Sequence, residues 1–109
     1  MASHREQILE LTRLLRDGVD PFWIRLRSLL NEKGVAPSTS ILADCFPDDT
    51  SFEFGVIVTF EGRVFQFGFD YLHRSVEDGT LSEWVELTDR HSATPYHAEV
   101  AEALALRTR

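Results

Sequence analysis

The sequence contains one cysteine, Cys45, and no apolar run approaching the roughly 20 residues that a membrane span requires. A single cysteine cannot form an internal disulfide, which agrees with a reducing compartment. The first ten residues, MASHREQILE, lack the apolar centre of a signal peptide. These absences predict a cytoplasmic protein. Cys45 stands between Asp44 and Phe46, and acidic and apolar neighbours would raise its pKa, which disfavours a nucleophilic role.

The sequence also lacks clustered metal ligands and a phosphate-binding loop. Its histidines are scattered along the chain: His4, His73, His91 and His97. Gly55, Gly62 and Gly68 lie within or between predicted strands, whereas a phosphate-binding loop places glycines where a strand turns into a helix. We therefore expect no metal and no cofactor.

Acidic residues are concentrated in one part of the chain. Residues 44–89 carry eleven acidic and two basic side chains, net −9, while residues 1–34 and 90–109 are each net +1. A field of this sign repels nucleic acids and anionic membranes and attracts cationic partners. Direct nucleic-acid or membrane binding is therefore not expected.

The stretch SFEFGVIVTFEGRVFQFGFDY, residues 51–71, alternates large apolar and smaller residues on both sides of Glu61-Gly62. This period of two predicts a β-hairpin. The register that makes one face almost wholly apolar pairs Phe60 with Arg63, Val58 with Phe65, Val56 with Phe67, Phe54 with Phe69, and Phe52 with Tyr71. A three-residue loop with a bulge at Gly62 would instead oppose Phe65, Phe67 and Phe69 to Ile57, Gly55 and Glu53. We favour the first register and assign Phe52, Phe54, Phe65, Phe67 and Phe69 to the core.

In the favoured register, the other face of the hairpin places Glu53 opposite Asp70 and Gly55 opposite Gly68. Facing like charges and strand glycines both destabilise a sheet, so folding alone does not select this face. One interpretation is a shallow acidic notch for a cationic group of a partner. The other is that a helix packs across the glycines.

The remaining elements follow from periodicity and capping residues. Apolar stripes predict helices at about Ser3–Arg16, Pro21–Lys33 and Pro95–Leu106, the last two starting with an Asp-Pro or Thr-Pro signal. Residues 35–50 are interpreted as a connection, with Asp48 and Asp49 at a loop tip. Residues 81–88 predict a third strand, with Leu81, Val85 and Leu87 on one side. The expected fold is a single α+β domain, in the order ααβββα.

Trp84 falls on the opposite, more polar side of that third strand, with Ser82, Glu86 and Thr88. It is either covered by a helix or exposed as an interface anchor, a position in which tryptophan is favoured.

The small size, the N-terminal helix pair, the acidic and aromatic hairpin FEFGVIVTFEGRVFQFGFDY and the strand SEWVELTD together resemble an immunity protein of bacterial polymorphic toxin systems. Those of contact-dependent growth inhibition are the nearest comparison. The resemblance implies a cytoplasmic inhibitor of one cognate toxin domain, often a nuclease such as a tRNA-cleaving enzyme.

The leading hypothesis is a non-enzymatic inhibitor, a monomer or weak homodimer, that blocks a basic toxin domain. The candidate partner-binding residues are Asp48, Asp49, Glu53, Asp70, His73, Glu77, Asp78, Glu83 and Trp84. One alternative is a homo-oligomeric structural or adaptor domain that uses Trp84 and the edge of the third strand. Another is a small acid/base enzyme that uses the Glu53 and Asp70 pair.

Overall fold

A computed structural model of the chain describes residues 4–49, 52–71, 75–88 and 97–107. Its helices and strands are α1 (His4–Asp17), α2 (Pro21–Glu32), β1 (Ile41–Asp49), β2 (Phe52–Val58), β3 (Val64–Asp70), β4 (Thr80–Leu87) and α3 (His97–Arg107). Short 3-10 turns lie at Pro37–Thr39 and Val76–Asp78. The α+β class is confirmed, but the order is ααββββα, with one strand more than predicted. None of the helices in these ranges is both long enough and apolar enough for a membrane span.

The three helices lie close to their predicted positions because their apolar stripes are periodic. Ile8 and Leu15 of α1 are buried, as are Leu26, Leu29 and Leu30 of α2, and Val100 and Ala103 of α3. Helix α2 begins at Pro21 and is followed by Gly34, whose φ of 79° is one that glycine adopts without strain. The predicted starts at Ser3 and Pro95 lie outside the described residues.

Strand β1 corrects the interpretation of residues 35–50 as a connection. It is nine residues long and pairs antiparallel with β2, from Ile41 opposite Val58 to Asp49 opposite Phe52. Its register shifts twice, and Pro47 lies within it. Proline is tolerated on an edge strand, where an outward N–H is not needed. These irregularities hide the strand in the sequence pattern. Because β1 extends to Asp49, Asp48 and Asp49 lie in a strand and not at a loop tip.

The β2–β3 hairpin adopts the register that we disfavoured. Ile57 lies opposite Phe65, Gly55 opposite Phe67, and Glu53 opposite Phe69. The Thr59 N–H donates to the Arg63 carbonyl at 2.8 Å, and the Gly62 N–H donates to the Thr59 carbonyl at 2.9 Å. Gly62 has a φ of 88°, which fits the left-handed position that ends a three-residue hairpin loop. The loop is therefore Phe60, Glu61 and Gly62, and the prediction of one wholly apolar face was wrong.

Apolar residues line both faces of this sheet because helices pack against both. On one face, Ile57, Phe65 and Phe67 share a buried cluster with leucines of α2. On the other face, Val56, Val58 and Val64 share a cluster with Val100 and Ala103 of α3. Register is strongly specified by pattern only where one face is buried. Here helices bury both faces of the sheet. A one-residue slip would therefore expose neither apolar set, and the pattern alone does not select the register.

Gly55 is required by an aromatic ring and not by a helix. A Cβ at Gly55 would collide with the ring of Phe67, its cross-strand partner, and would lie 2.9 Å from the Asp44 carbonyl oxygen. The Phe69 ring lies in the same way against Gly79. Gly55 and Gly68 face opposite sides of the sheet, since Gly68 pairs with Phe54. The interpretation of a helix packed across both glycines is therefore corrected.

The sheet is an antiparallel meander in the order β1-β2-β3-β4, so β1 and β4 are its edges. A bulge in β4 lies between Glu83, which pairs with Gly68, and Leu81, which pairs with Phe69. This extra residue brings Leu81 to the same face as Trp84, against the same core cluster. The predicted separation of Leu81 from Trp84 was therefore wrong, because a strict period of two does not anticipate a bulge.

Candidate protein-binding surface

The acidic notch predicted from Glu53 and Asp70 is not formed. Glu53 pairs with Phe69, whereas Asp70 pairs with Phe52 and therefore points to the other face of the sheet. The two carboxylates cannot share one cationic group of a partner, nor one proton as a catalytic pair. This correction follows directly from the one-residue change of register.

Most of the other predicted site residues lie at one end of the sheet, where β1 ends, β2 begins and β3 ends. Asp48 and Asp49 close β1, and the 3-10 turn that carries Glu77 and Asp78 leads into β4. Glu77 and Asp78 are exposed. The Ser75 hydroxyl donates to the Asp78 carboxylate at 3.0 Å. Thus the fold brings these acids to one end of the sheet. His73 lies outside the described residues.

Glu83 and Trp84 lie farther along β4, and both have partners within the protein. The Gln66 amide donates to the Glu83 carboxylate at 2.9 Å. Trp84 is half-buried and stacks on Phe65, with ring centroids 4.6 Å apart and planes 18° apart. The ammonium of Lys33 lies 5.9 Å from the Trp84 ring centroid. These contacts favour the structural interpretation of Trp84 over that of an exposed anchor.

A groove between α1 and β1 carries acidic residues that our prediction did not include. It encloses about 530 Å³ and is lined by Glu6, Gln7, Glu10, Leu11, Asp44 and Cys45. Glu6 and Glu10 are four residues apart, so they lie on one face of the helix. That spacing is visible in the sequence. Their meeting with Asp44 is not, because it depends on strand β1, which the sequence pattern concealed.

Burial changes the ionisation of Asp44, which lines this groove, and of Glu53, which lies on the opposite face of the sheet. Burial raises the pKa of the Asp44 carboxyl, Glu99 adds repulsion, and a hydrogen bond from the Cys45 N–H offsets part of the effect. Burial also raises the pKa of the Glu53 carboxyl, and no hydrogen bond or charge of a described residue offsets it. Both carboxylates are thus partly removed from water; the Cys45 N–H and His4 offset part of this for Asp44, whereas no described group does so for Glu53.

Cys45 lies beside these two carboxylates and is held as a neutral thiol. Burial raises its pKa far above the ordinary range, with further contributions from Glu53 and Asp44. The sequence-based expectation of a raised pKa is confirmed. A thiol in this environment carries almost no thiolate near pH 7, so it is poorly suited to nucleophilic catalysis.

Three helix arginines are directed at backbone carbonyls rather than at the carboxylates of the sheet. Arg16 donates to the Ser40 carbonyl at 2.9 Å, and Arg25 donates to the Gly79 carbonyl at 2.8 Å. Arg27 donates to the carbonyls of Leu15 and Gly18 at 3.0 and 2.7 Å. These bonds hold chain segments together. These three arginines therefore do not neutralise the carboxylates of the sheet.

The opposite end of the sheet has a different character. The hairpin loop exposes 62% of Phe60, and a smaller pocket of about 190 Å³ beside it includes Lys33, Arg63 and Trp84. Arg63 forms a two-pronged pair with Glu86, at 3.0 and 2.8 Å. The charges at this end are thus partly paired within the chain.

Within the described ranges, no three His, Cys, Asp or Glu side chains converge to hold a metal ion. The arrangement around the groove is suited to receiving a positively charged side chain. A Lys or Arg there would offset the solvation that Asp44 loses on burial. Glu53 does not line the groove and lies on the other face of the sheet, so it would need a separate cation. Comparison with known proteins gives no further guide, since no protein-family model, curated protein or solved structure matches the chain.

Proposed function

We propose that this protein is a non-enzymatic inhibitor that binds a basic protein domain, as an immunity protein binds a nuclease toxin. The observation that carries the proposal is the half-buried carboxylate of Glu53, whose burial no described cation offsets. Burial also raises the pKa of Asp44 on the neighbouring strand, although the Cys45 N–H and His4 offset part of it. Partial burial of a charge without a partner carries a cost, and a cation that arrives with a partner would offset it.

The charge distribution also supports binding of a basic domain. Residues 44–89 are net −9, and the acids at the end of β1, in β2 and in the turn before β4 share one end of the sheet. Negative potential over such a region steers a basic domain into contact and speeds association. Nuclease domains are basic where they hold phosphates, and carboxylates can occupy the same positions. The acidic end is therefore suited to covering the phosphate-binding face of a nucleic-acid enzyme.

The test is co-purification of the tagged protein with the product of the adjacent reading frame, eluted by a salt gradient. We expect a basic partner whose retention falls steeply with salt, and whose nuclease activity is lost when this protein is added. Glu53→Gln should weaken the complex by about tenfold or more, since it removes one desolvated charge pair. Glu61→Gln, an exposed acid in the hairpin loop, is the matched control and should change affinity little.

Two results would contradict the proposal. One is that no partner is retained even at low salt. The other is that Glu53→Gln and Glu61→Gln bind equally well and with the same salt dependence, which would place the contact elsewhere on the protein.

The alternative of a homo-oligomer retains one supporting observation, the position of β4 at an edge of the sheet, with Val85 47% exposed. Sedimentation velocity over a range of protein concentrations distinguishes the two. A stable dimer at micromolar concentration would favour self-association through this strand. A monomer that binds a basic partner favours the inhibitor.

A further inference from the structure

The outer edge of β4 has backbone groups that no described element uses. Among the described elements, only β3 lies alongside β4. Hydrogen-bonded and non-hydrogen-bonded pairs alternate along antiparallel strands. The bond from the Thr59 N–H to the Arg63 carbonyl fixes this alternation across β2 and β3. By the same alternation, Val85 and Leu87 bond to β3, and the N–H groups of Trp84 and Glu86 point outward.

The other edge of the same sheet is closed. There the Leu42 N–H donates to the Thr12 hydroxyl of α1 at 3.0 Å, and Pro47 and two register shifts interrupt β1. Such devices prevent pairing with another chain. Strand β4 is eight residues long and contains neither proline nor lysine, and one bulge is its only irregularity in the pairing with β3.

The charge around the open edge indicates what kind of strand it accepts. The segment 77–89 has no Lys or Arg and carries five acids: Glu77, Asp78, Glu83, Glu86 and Asp89. Of these, Glu86 is paired with Arg63. Acids directly opposite each other on paired strands are destabilising, and opposite charges are stabilising. A second copy would bring the same acids and a further net charge of −7 to the contact. An extended segment with Lys or Arg side chains fits better.

We propose that the outer edge of β4 binds an extended basic segment of the partner protein as a fifth strand. This inference rests on the proposed function and specifies how the partner is held. The backbone groups of Trp84 and Glu86 supply hydrogen bonds to the incoming strand. Glu83 and Glu86 lie on opposite faces of β4, so basic side chains on either face of that strand meet an acid. Glu83 would keep its bond from the Gln66 amide, and an incoming cation would share Glu86 with Arg63.

The first experiment measures amide hydrogen exchange by NMR in the full chain. In the free protein, the amides of Trp84 and Glu86 should exchange at least about tenfold faster than those of Val85 and Leu87. A soluble nonapeptide alternating valine and lysine should then protect Trp84 and Glu86, whereas a valine–glutamate peptide should not. Equal protection of all four amides in the free protein would overturn the inference. So would protection that grows with protein concentration alone, which identifies a second copy, or equal binding of both peptides.

The second experiment uses two variants that both lose the Glu86 carboxylate. Glu86→Pro also removes an outward N–H, whereas Glu86→Ala keeps it. With the salt-released partner from the co-purification, Glu86→Pro should bind about tenfold more weakly than Glu86→Ala. The two should have the same near-ultraviolet circular dichroism, because the N–H groups that bond to β3 are unchanged. Equal binding of the two variants would overturn strand addition and leave the inhibitor proposal standing. Absence of any partner contradicts the proposed function, and the peptide measurement still tests the edge.

Discussion

The two edges of the sheet differ in whether another element of the protein covers them. Helix α1 lies along β1, where the Thr12 hydroxyl accepts the Leu42 N–H and Arg16 donates to the Ser40 carbonyl. Strand β4 has no such cover from a described element, and Val85 is 47% exposed. An uncovered edge exposes a protein to aggregation, so it persists most readily where pairing has a use. The comparison separates an edge that stabilises the fold from one that remains available to a partner.

The largest expected effect comes from truncating a buried side chain of α1, the helix that covers the β1 edge. The comparison is with a side chain on the uncovered β4 edge. Leu15 of α1 is fully buried, so Leu15→Ala should lower the free energy of unfolding by about 2–5 kcal/mol. Val85→Ala in β4 removes a half-exposed side chain and should cost less than about 1 kcal/mol. Urea denaturation of both variants measures the difference. Similar losses would show that β4 is packed as tightly as the covered side.

A smaller loss of stability is expected at Gly55 of β2, which lies against the ring of Phe67. Gly55→Ala places a methyl group against that ring and near the Asp44 carbonyl, and it should destabilise the protein by about 1–3 kcal/mol. Phe67→Leu combined with Gly55→Ala provides the control, because the shorter side chain leaves room for the methyl. If the double variant is no more stable than the sum of the two single changes predicts, the contact is not the cause.

The bond that closes the β1 edge gives a third test. Thr12→Val keeps the shape of the side chain but leaves the buried Leu42 N–H without its acceptor, at a cost of about 1–2 kcal/mol. Thr12→Ser retains the hydroxyl and should be closer to the original protein. The amide of Leu42 should also exchange faster in Thr12→Val. An unchanged exchange rate would mean that this edge is closed by something other than Thr12.

The smallest effect concerns Glu53 and pH. Because burial raises the pKa of its carboxyl in the folded protein, folding favours the protonated form, and its contribution to stability is lost as pH rises through that pKa. Glu53→Gln should therefore raise the free energy of unfolding near pH 7, by less than about 1 kcal/mol since solvent screens a half-exposed group, and Tm should rise with it. The gain should disappear below about pH 4. Thermal melts at both pH values measure it, and a gain that does not depend on pH would contradict this assignment.

The sequence was informative where one side of an element faces solvent. The stripes of α1, α2 and α3 could be found because each helix buries one face, and Leu15, Leu26 and Val100 are all buried as that pattern requires. The placement of Phe65, Phe67 and Phe69 in the core is confirmed. Phe54 is only half-buried, and the side chain of Phe52 lies outside what the structure describes.

Apolar periodicity did not predict the hairpin register or the presence of β1. The two registers of β2 and β3 differ by one residue, and Gly62 was the local signal for the correct one, since it adopts the positive φ of a three-residue loop. Strand β1 was missed because Pro47 and two register shifts disturb its alternation. An edge strand tolerates such residues, so its sequence resembles that of a connection.

The sequence by itself determined the α+β class, the helices, the hairpin and the concentration of acids in residues 44–89. Tertiary structure decided which of those acids meet. It separated Glu53 from Asp70, brought Asp44 to Glu6 and Glu10, and left β4 as an open edge. The physical reason is that register and edge position depend on what packs against each face of a sheet. That packing comes from helices distant in sequence, and the local period of two carries no record of them.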